Sequence, residues 1–119
     1  IEVRAGSNGA LLAAVETGYG SAPFGIALAP AGDAAFVSLY GSGELLRIDV
    51  ASRTVTGTAT LGPTARALAV SGDGSRALVS RFISPATRGE LWEVDTASMT
   101  MTRTLALPKL GGLAHQDNT

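Results

Sequence analysis

The sequence predicts an all-β fold in which four-stranded antiparallel sheets repeat along the chain. The segment GELLRIDVAS at residues 43–52 returns 46 positions later as GELWEVDTAS at residues 89–98. Apolar and polar residues alternate with period two within each unit, as they do in half-buried strands. Clusters of Gly, Pro, Asp and Ser interrupt the alternation every ~8–12 residues, a spacing typical of short strands. Repetition, alternation and turn spacing together predict repeated β-sheets.

The repeat divides the chain into four segments. Residues 1–18 resemble the last half of a unit, because Gly18 closes them as Gly62 closes a later one, and we assign them to the end of a preceding unit. Complete units are predicted at residues 19–63 and 64–108, and the second has a longer loop at 82–88. Residues 109–119 are predicted to connect to a following unit.

Each complete unit contains four strand candidates. In the first unit they are residues 25–29, 34–39, 44–49 and 54–60, and in the second they are 67–71, 76–81, 90–95 and 99–106. The loops at 30–33 and 72–75 contain glycines, which tolerate the positive φ of hairpin turns. Asp49 and Asp95 each precede an Ala-Ser pair and favour turns in which the carboxylate accepts a backbone N–H.

The first and fourth strands of a unit differ in character. Ile26-Ala27-Leu28-Ala29 is apolar throughout and predicts a strand buried on both faces. Threonines alternate with other residues over 54–60 and 100–104, which predicts a half-exposed strand at a sheet edge. A helical repeat of similar length would instead place apolar residues at i, i+3, i+4 and i+7. The period of two excludes that alternative.

A repeat of this length with β-type patterning indicates a propeller or solenoid. Over about residues 5–108 the units resemble the YVTN-type β-propeller repeat, through the segments 22–32, 36–38, 46–49, 61–63, 67–74, 78–80 and 91–95. The Tyr-Val-Thr-Asn of that family corresponds here to Phe-Val-Ser-Leu at 36–39 and Leu-Val-Ser-Arg at 78–81. The resemblance implies a bacterial extracytoplasmic protein, in the periplasm or at the cell surface, with a ring of about six to eight blades, seven being favoured.

The chain holds about two and a half such units, fewer than the roughly four to eight blades of a closed ring. We therefore expect an incomplete ring or a fragment of a larger propeller. The absence of an initial methionine and the strand-like opening also lead us to expect an excised or processed piece.

Composition narrows the classes of partner. The net charge is −1 and there is no basic tract, so we expect no nucleic-acid partner and no anionic membrane surface. The chain contains no cysteine, which excludes disulfides, thiolate metal sites and cysteine nucleophiles within it. Apolar runs are far shorter than the ~18 residues of a membrane-spanning helix, so we expect no membrane insertion.

The loops between the second and third strands of each unit, and the segments that join one sheet to the next, are predicted to lie at one end of a central channel. The candidate site lies at that end. Arginine guanidinium groups gathered there beside aromatic rings could hold a carboxylate or phosphate in bidentate fashion. The alternative is that these arginines are ordinary solvated loop residues. The candidate binding residues are Arg66, Arg81, Arg88, Tyr40, Phe82 and His115.

Catalysis has little support in the sequence. His115 is the only histidine and could serve with Asp117 as a metal ligand or base, or could be a solvated residue of a terminal loop. No acid–histidine–nucleophile arrangement is discernible by spacing. We therefore assign no catalytic residue, no metal and no cofactor.

The leading hypothesis is a non-catalytic binding or scaffold portion of a bacterial extracytoplasmic YVTN-type propeller. Its expected partners are the remaining blades of the same protein or copies of itself, together with a protein partner at the channel face. The alternative is part of a propeller enzyme, a lactonase-like hydrolase or a dehydrogenase subunit, whose catalytic residues lie mostly outside this chain. A third hypothesis is a small protein that completes a ring or a stacked sheet with its own copies.

Overall fold

The computed structural model describes residues 1–81 and 88–108, and within these ranges it contains ten strands and no helix. No helix among them is long and apolar enough to cross a membrane. The strands are β1 (Glu2–Arg4), β2 (Leu11–Ala14), β3 (Pro23–Leu28), β4 (Ala34–Leu39), β5 (Glu44–Asp49), β6 (Thr54–Thr60), β7 (Ala65–Val70), β8 (Arg76–Arg81), β9 (Arg88–Asp95) and β10 (Thr100–Pro108). The predicted all-β fold is confirmed.

The strands form three antiparallel sheets that follow one another along the chain. β1 and β2 form the N-terminal hairpin, β3 to β6 form the first sheet, and β7 to β10 form the second sheet. Each sheet keeps its strands in sequence order, as successive hairpin connections require. All eight strands predicted for the two complete units are present, and the two first strands begin two residues earlier than predicted, at Pro23 and Ala65.

The repeat extends to the backbone conformation of the turns. Positive φ occurs at matching positions before the first strand, in the first hairpin turn and before the fourth strand. The matching pairs are Ala22 and Thr64, Gly32 and Gly74, and Arg53 and Met99. The N–H of Arg53 donates to the Asp49 carbonyl at 2.7 Å, and the N–H of Met99 donates to the Asp95 carbonyl at 2.8 Å. The two units therefore fold through the same local geometry.

The larger hydrophobic core lies between the first and second sheets. Trp92, the only tryptophan in the sequence, is 4% exposed there. Burying each large apolar side chain in such a core stabilises the fold by about 1.5–3 kcal/mol. The core contains Phe36, Leu45 and Ala59 from the first sheet, and Ala65, Ala77, Val79, Trp92, Val94 and Met99 from the second sheet and its last turn.

A second core lies on the opposite face of the first sheet, beneath the N-terminal hairpin. Val15 packs there with residues of β4 and β5, and Ile1 and Val3 pack at its margin. The hairpin therefore covers the middle strands of the first sheet. The assignment of residues 1–18 to the end of a preceding unit stays a prediction.

The prediction for the first strand was wrong in part. Ile26 and Leu28 of β3 are 65% and 62% exposed, whereas their equivalents in the second sheet, Leu68 and Val70, are partly buried against the inter-sheet core. The difference arises because β7 packs on the first sheet, whereas the hairpin does not extend over the face of β3 that carries Ile26 and Leu28. The prediction for the fourth strands is confirmed, since β6 and β10 lie at sheet edges.

Candidate binding face

The strand 2–3 loop of the first sheet and the segments flanking that sheet meet at one end, which we call the loop end. The Tyr40 N–H donates to the Ala22 carbonyl at 2.9 Å, and the Leu61 N–H donates to the Gly43 carbonyl at 2.9 Å. These bonds join the loop at 40–43 to the segments entering and leaving the first sheet. The predicted gathering of these connections at one end is therefore present.

Glycine is required where these loops approach most closely. Gly43 has a φ of +75°, and a Cβ added there would lie 2.4 Å from the carbonyl oxygen of Gly62. Any other residue would have to adopt the left-handed backbone conformation there, and its Cβ would clash with the backbone of Gly62. The loop end is consequently a closely packed surface.

Arg66 lies at the loop end over an aromatic ring that belongs to the neighbouring sheet. Its guanidinium carbon is 4.6 Å from the centre of the Phe24 ring, in cation–π geometry. Phe24 is itself exposed on β3. The sequence predicted Arg66 beside the aromatic rings of Tyr40 and Phe82. The contact with Phe24 was not predicted, because it depends on the stacking of two sheets.

Arg81 is engaged in an ion pair between adjacent strands. Its Nη1 lies 2.9 Å from Oε1 of Glu90, whose side chain is 8% exposed. Removing one member of such a partly buried pair destabilises a protein, because it takes a partner from a charge that burial has removed from water. The first sheet has Leu39, fully buried, at the position of Arg81. We conclude that Arg81 has a structural role at this end of the second sheet.

The structure brings Arg66 and Arg81 to the same end, because Ala65 pairs with Arg81 across β7 and β8. Arg88 begins β9, where its backbone pairs with Pro108. Tyr40 is partly buried directly after β4. Phe82 and His115 lie outside the described residues, so their membership of the site stays a prediction.

Carboxylates of the opposite end anchor turns. The Ser75 backbone N–H, aided by the hydroxyls of Ser75 and Ser71, lowers the pKa of Asp73 to about 2. The backbone N–H groups of Ser98 and Ala97 lower the pKa of Asp95 in the same way. Among the residues that the structure describes, no group of three or more His, Asp or Glu side chains is placed to hold a metal ion.

Two polar side chains that were not predicted as site residues join the first sheet to the second. Ser38 is fully buried, and its Oγ accepts the Gly25 N–H at 2.9 Å and donates to the Arg66 carbonyl at 2.5 Å. Arg47 donates through Nη1 to the carbonyls of Thr96 and Ala97 in the last turn of the second sheet. Ser38 carried a sequence signal, because it recurs as Ser80, but Arg47 did not, because Glu93 stands at its equivalent position.

Comparison with known proteins identifies the fold. No model of a known protein family matches the chain, and no curated protein is significantly similar to it in sequence. Among solved structures, hydrazine synthase from Kuenenia stuttgartiensis superposes with a TM-score of 0.78 at 17% identity, over 90% of this chain and 31% of that one. Dihydro-heme d1 dehydrogenase NirN superposes with a TM-score of 0.72 at 22% identity, over 91% and 22%. The WD40 repeats of RRP9 superpose with a TM-score of 0.64 at 12% identity, over 78% and 28%.

These neighbours are β-propellers. The chain has the fold of β-propeller blades. The first and second sheets are therefore blades, as the sequence predicted, and they pack face to face. The chain spans about a third or less of the structures it matches, 31% and 22% of the first two. At identities below 25% this similarity concerns the fold alone.

Proposed function

We propose that the chain is a non-catalytic binding or scaffold portion of a YVTN-type β-propeller protein that works in the bacterial periplasm or at the cell surface. The observation that carries the proposal is the use of its buried and half-buried polar groups. Ser38, Arg47 and the Arg81–Glu90 pair all hold strands or sheets together. Such groups build a rigid support on which exposed loops can bind.

The inter-sheet serine supports the YVTN assignment. Ser38 occupies the place of the threonine in Tyr-Val-Thr-Asn, and Ser80 occupies the same place in the second sheet. Ser80 Oγ accepts the Ala67 N–H at 3.1 Å, as Ser38 Oγ accepts the Gly25 N–H. Serine keeps the hydroxyl of threonine, so the departure from the family's sequence preserves the group that makes the bonds.

The loop end is the surface that we assign to a protein partner. Tyr19 is fully exposed there, and Arg66 lies over Phe24 at the same end. Tyrosine and arginine are enriched in protein interfaces, because each combines contact area with hydrogen bonding. The remaining blades of the propeller are the partners of the sheet faces.

The test uses the full polypeptide in its source cells, with a photo-reactive amino acid in place of Tyr19. A matched variant carries the same group in place of Ala31, an exposed residue of the turn at the opposite end. We expect a specific protein adduct from position 19, none from position 31, and recovery of the polypeptide in the periplasmic or cell-surface fraction. Equal adducts from both positions, no adduct, or a cytoplasmic polypeptide would overturn the proposal.

The second candidate is part of a propeller enzyme. It is favoured by the names of two neighbours, a hydrazine synthase and a dihydro-heme d1 dehydrogenase. In that case the catalytic residues lie mostly outside this chain, and the loop end contributes to a substrate or cofactor channel. Substrate turnover by the purified polypeptide that is lost in Arg66→Ala, without a protein adduct at position 19, would favour this candidate.

A further inference from the structure

The face of the second sheet turned away from the first sheet, which we call the outer face, repeats an interface already present in the molecule. Its apolar positions match those that the first sheet buries against the second. Phe36, Leu45 and Ala59 are buried in the inter-sheet core, whereas their equivalents on the outer face are only partly buried. Those equivalents are Leu78, Leu91 and Leu105.

Arg47 shows how a guanidinium spans the existing interface. Two of its nitrogens are anchored within the first sheet, where Nε donates to Thr56 Oγ1 and Nη2 donates to the Thr56 carbonyl, both at 3.0 Å. The third, Nη1, crosses to the carbonyls of Thr96 and Ala97 in the turn between β9 and β10. The side chain has room to do so because its partner across β5 and β6 is Gly57.

The outer face has a guanidinium in a corresponding arrangement, but on the neighbouring strand. Glu93 takes the position of Arg47, and Arg103 takes the position of Gly57. Arg103 donates through Nε and Nη2 to the two carboxylate oxygens of Glu93, at 3.1 and 3.4 Å. Nη1 lies outside this pair, just as Nη1 of Arg47 lies outside its own anchors. Thr102 Oγ1 also donates to Glu93 at 2.8 Å, which holds the carboxylate in place.

We propose that Arg103, oriented by Glu93, binds the backbone carbonyls of the strand 3–4 turn of a further propeller blade that docks on the outer face. The inference rests on the proposed function, since it assumes that other blades flank this chain. It adds that Arg103 holds the next blade, and that Arg103 does so by binding backbone carbonyls of that blade. Ser80 is the second polar contact, because its counterpart Ser38 donates to a carbonyl in the adjacent sheet.

A second copy of the chain is a poor occupant. The first sheet of a copy has its matching face covered by its own hairpin. The hairpin in turn presents Glu2 and Arg4, an exposed ion pair at 2.9 Å, where the second sheet has Trp92 and Val94. A charged surface of this kind does not complement the leucines of the outer face. The occupant is therefore a blade with an apolar inner face.

The experiment places a diazirine analogue of leucine at Leu91 of the full polypeptide in its source cells. We expect a cross-link to a propeller-type strand or turn outside residues 1–108. A cross-link to residues 1–18 of a second copy, to an unrelated protein, or to solvent alone would overturn the proposal. The photo-reactive group at Tyr19 tests the proposed function separately, so the two failures are distinguishable.

The role of Arg103 is tested by hydrogen exchange of the β9 and β10 amides in the same polypeptide. Arg103→Ala removes charge-assisted hydrogen bonds to the neighbouring blade, so the β9 and β10 amides should exchange about 10- to 100-fold faster. Arg4→Ala, which removes an exposed arginine that is ion-paired within the hairpin, should change the same amides less than about twofold. Equal effects of the two variants would show that Arg103 does not clamp a neighbouring blade.

Discussion

Replacing Ser38 by alanine should weaken the contact between the first and second sheets far more than the loss of one hydroxyl from a surface would. Ser38 is 0% exposed, and its hydroxyl bridges the Gly25 N–H of its own sheet and the Arg66 carbonyl of the next. Alanine leaves both backbone groups without this partner. The substitution therefore tests whether this hydrogen bond between the sheets stabilises their packing.

The magnitude follows from the two groups that lose a partner. Each buried donor or acceptor left unsatisfied costs about 1–3 kcal/mol, and both bonds of Ser38 are only partly buried, so Ser38→Ala should destabilise the fold by about 2–4 kcal/mol, in the lower part of the summed range. Ser80→Ala is the matched control in the isolated chain, because Ser80 occupies the equivalent position and, among the residues that the structure describes, accepts only the Ala67 N–H of its own sheet. Its loss should cost about 1 kcal/mol.

Urea unfolding followed by tryptophan fluorescence measures both variants. Trp92 is the only tryptophan and lies in the inter-sheet core, so its emission reports separation of the two sheets. With an m-value of about 2 kcal/mol/M, the middle of the usual range, Ser38→Ala should lower the midpoint by about 1–2 M urea and Ser80→Ala by about 0.5 M. Equal shifts for the two variants, or a shift below ~0.3 M for Ser38→Ala, would refute the reasoning.

Three further predictions concern packing, acid and association. Gly57→Ala places a Cβ 2.6 Å from Met99 Cγ and should cost about 1–3 kcal/mol in urea unfolding, whereas Gly72→Ala meets nothing within 4 Å and should cost less than ~1 kcal/mol. The Ser75 N–H lowers the pKa of Asp73 to about 2, so its stabilisation is complete above about pH 4 and lost as the pH falls towards 2. Asp73→Asn should remove that part of the acid dependence, and an unchanged dependence would contradict the assignment. Leu28 is 62% exposed, and Leu28→Ser should reduce self-association of the isolated chain in sedimentation velocity; a strictly monomeric parent chain would contradict this.

Periodicity predicted the strands well because each strand's pattern is local. The early starts of β3 and β7 were missed for a local reason too. Both strands open with a register shift, between Pro23 and Gly25 and between Ala65 and Leu68, and this breaks the alternation on which the prediction depended. The edge positions of β6 and β10 were predictable, since threonine alternation marks a half-exposed strand.

Contacts between sheets could not be predicted from the sequence. The exposure of Ile26 depends on how far the hairpin extends over the first sheet, and residue type does not determine that. The Arg66–Phe24 pair and the Ser38–Arg66 bond join residues from different units, which no local pattern links. Arg47 lacked even a repeat signal, because the second unit moves the guanidinium to Arg103 on the next strand.

The central claim is that these sheets are consecutive blades of a larger ring, with neighbours on both sides. Electron cryomicroscopy of the native assembly that contains the chain, isolated from its source, tests it most directly. We predict a closed ring of about seven blades, with a further blade seated on Leu78, Leu91 and Leu105 of the outer face. A discrete body of two sheets and a hairpin, with the outer face open to solvent, would contradict the account.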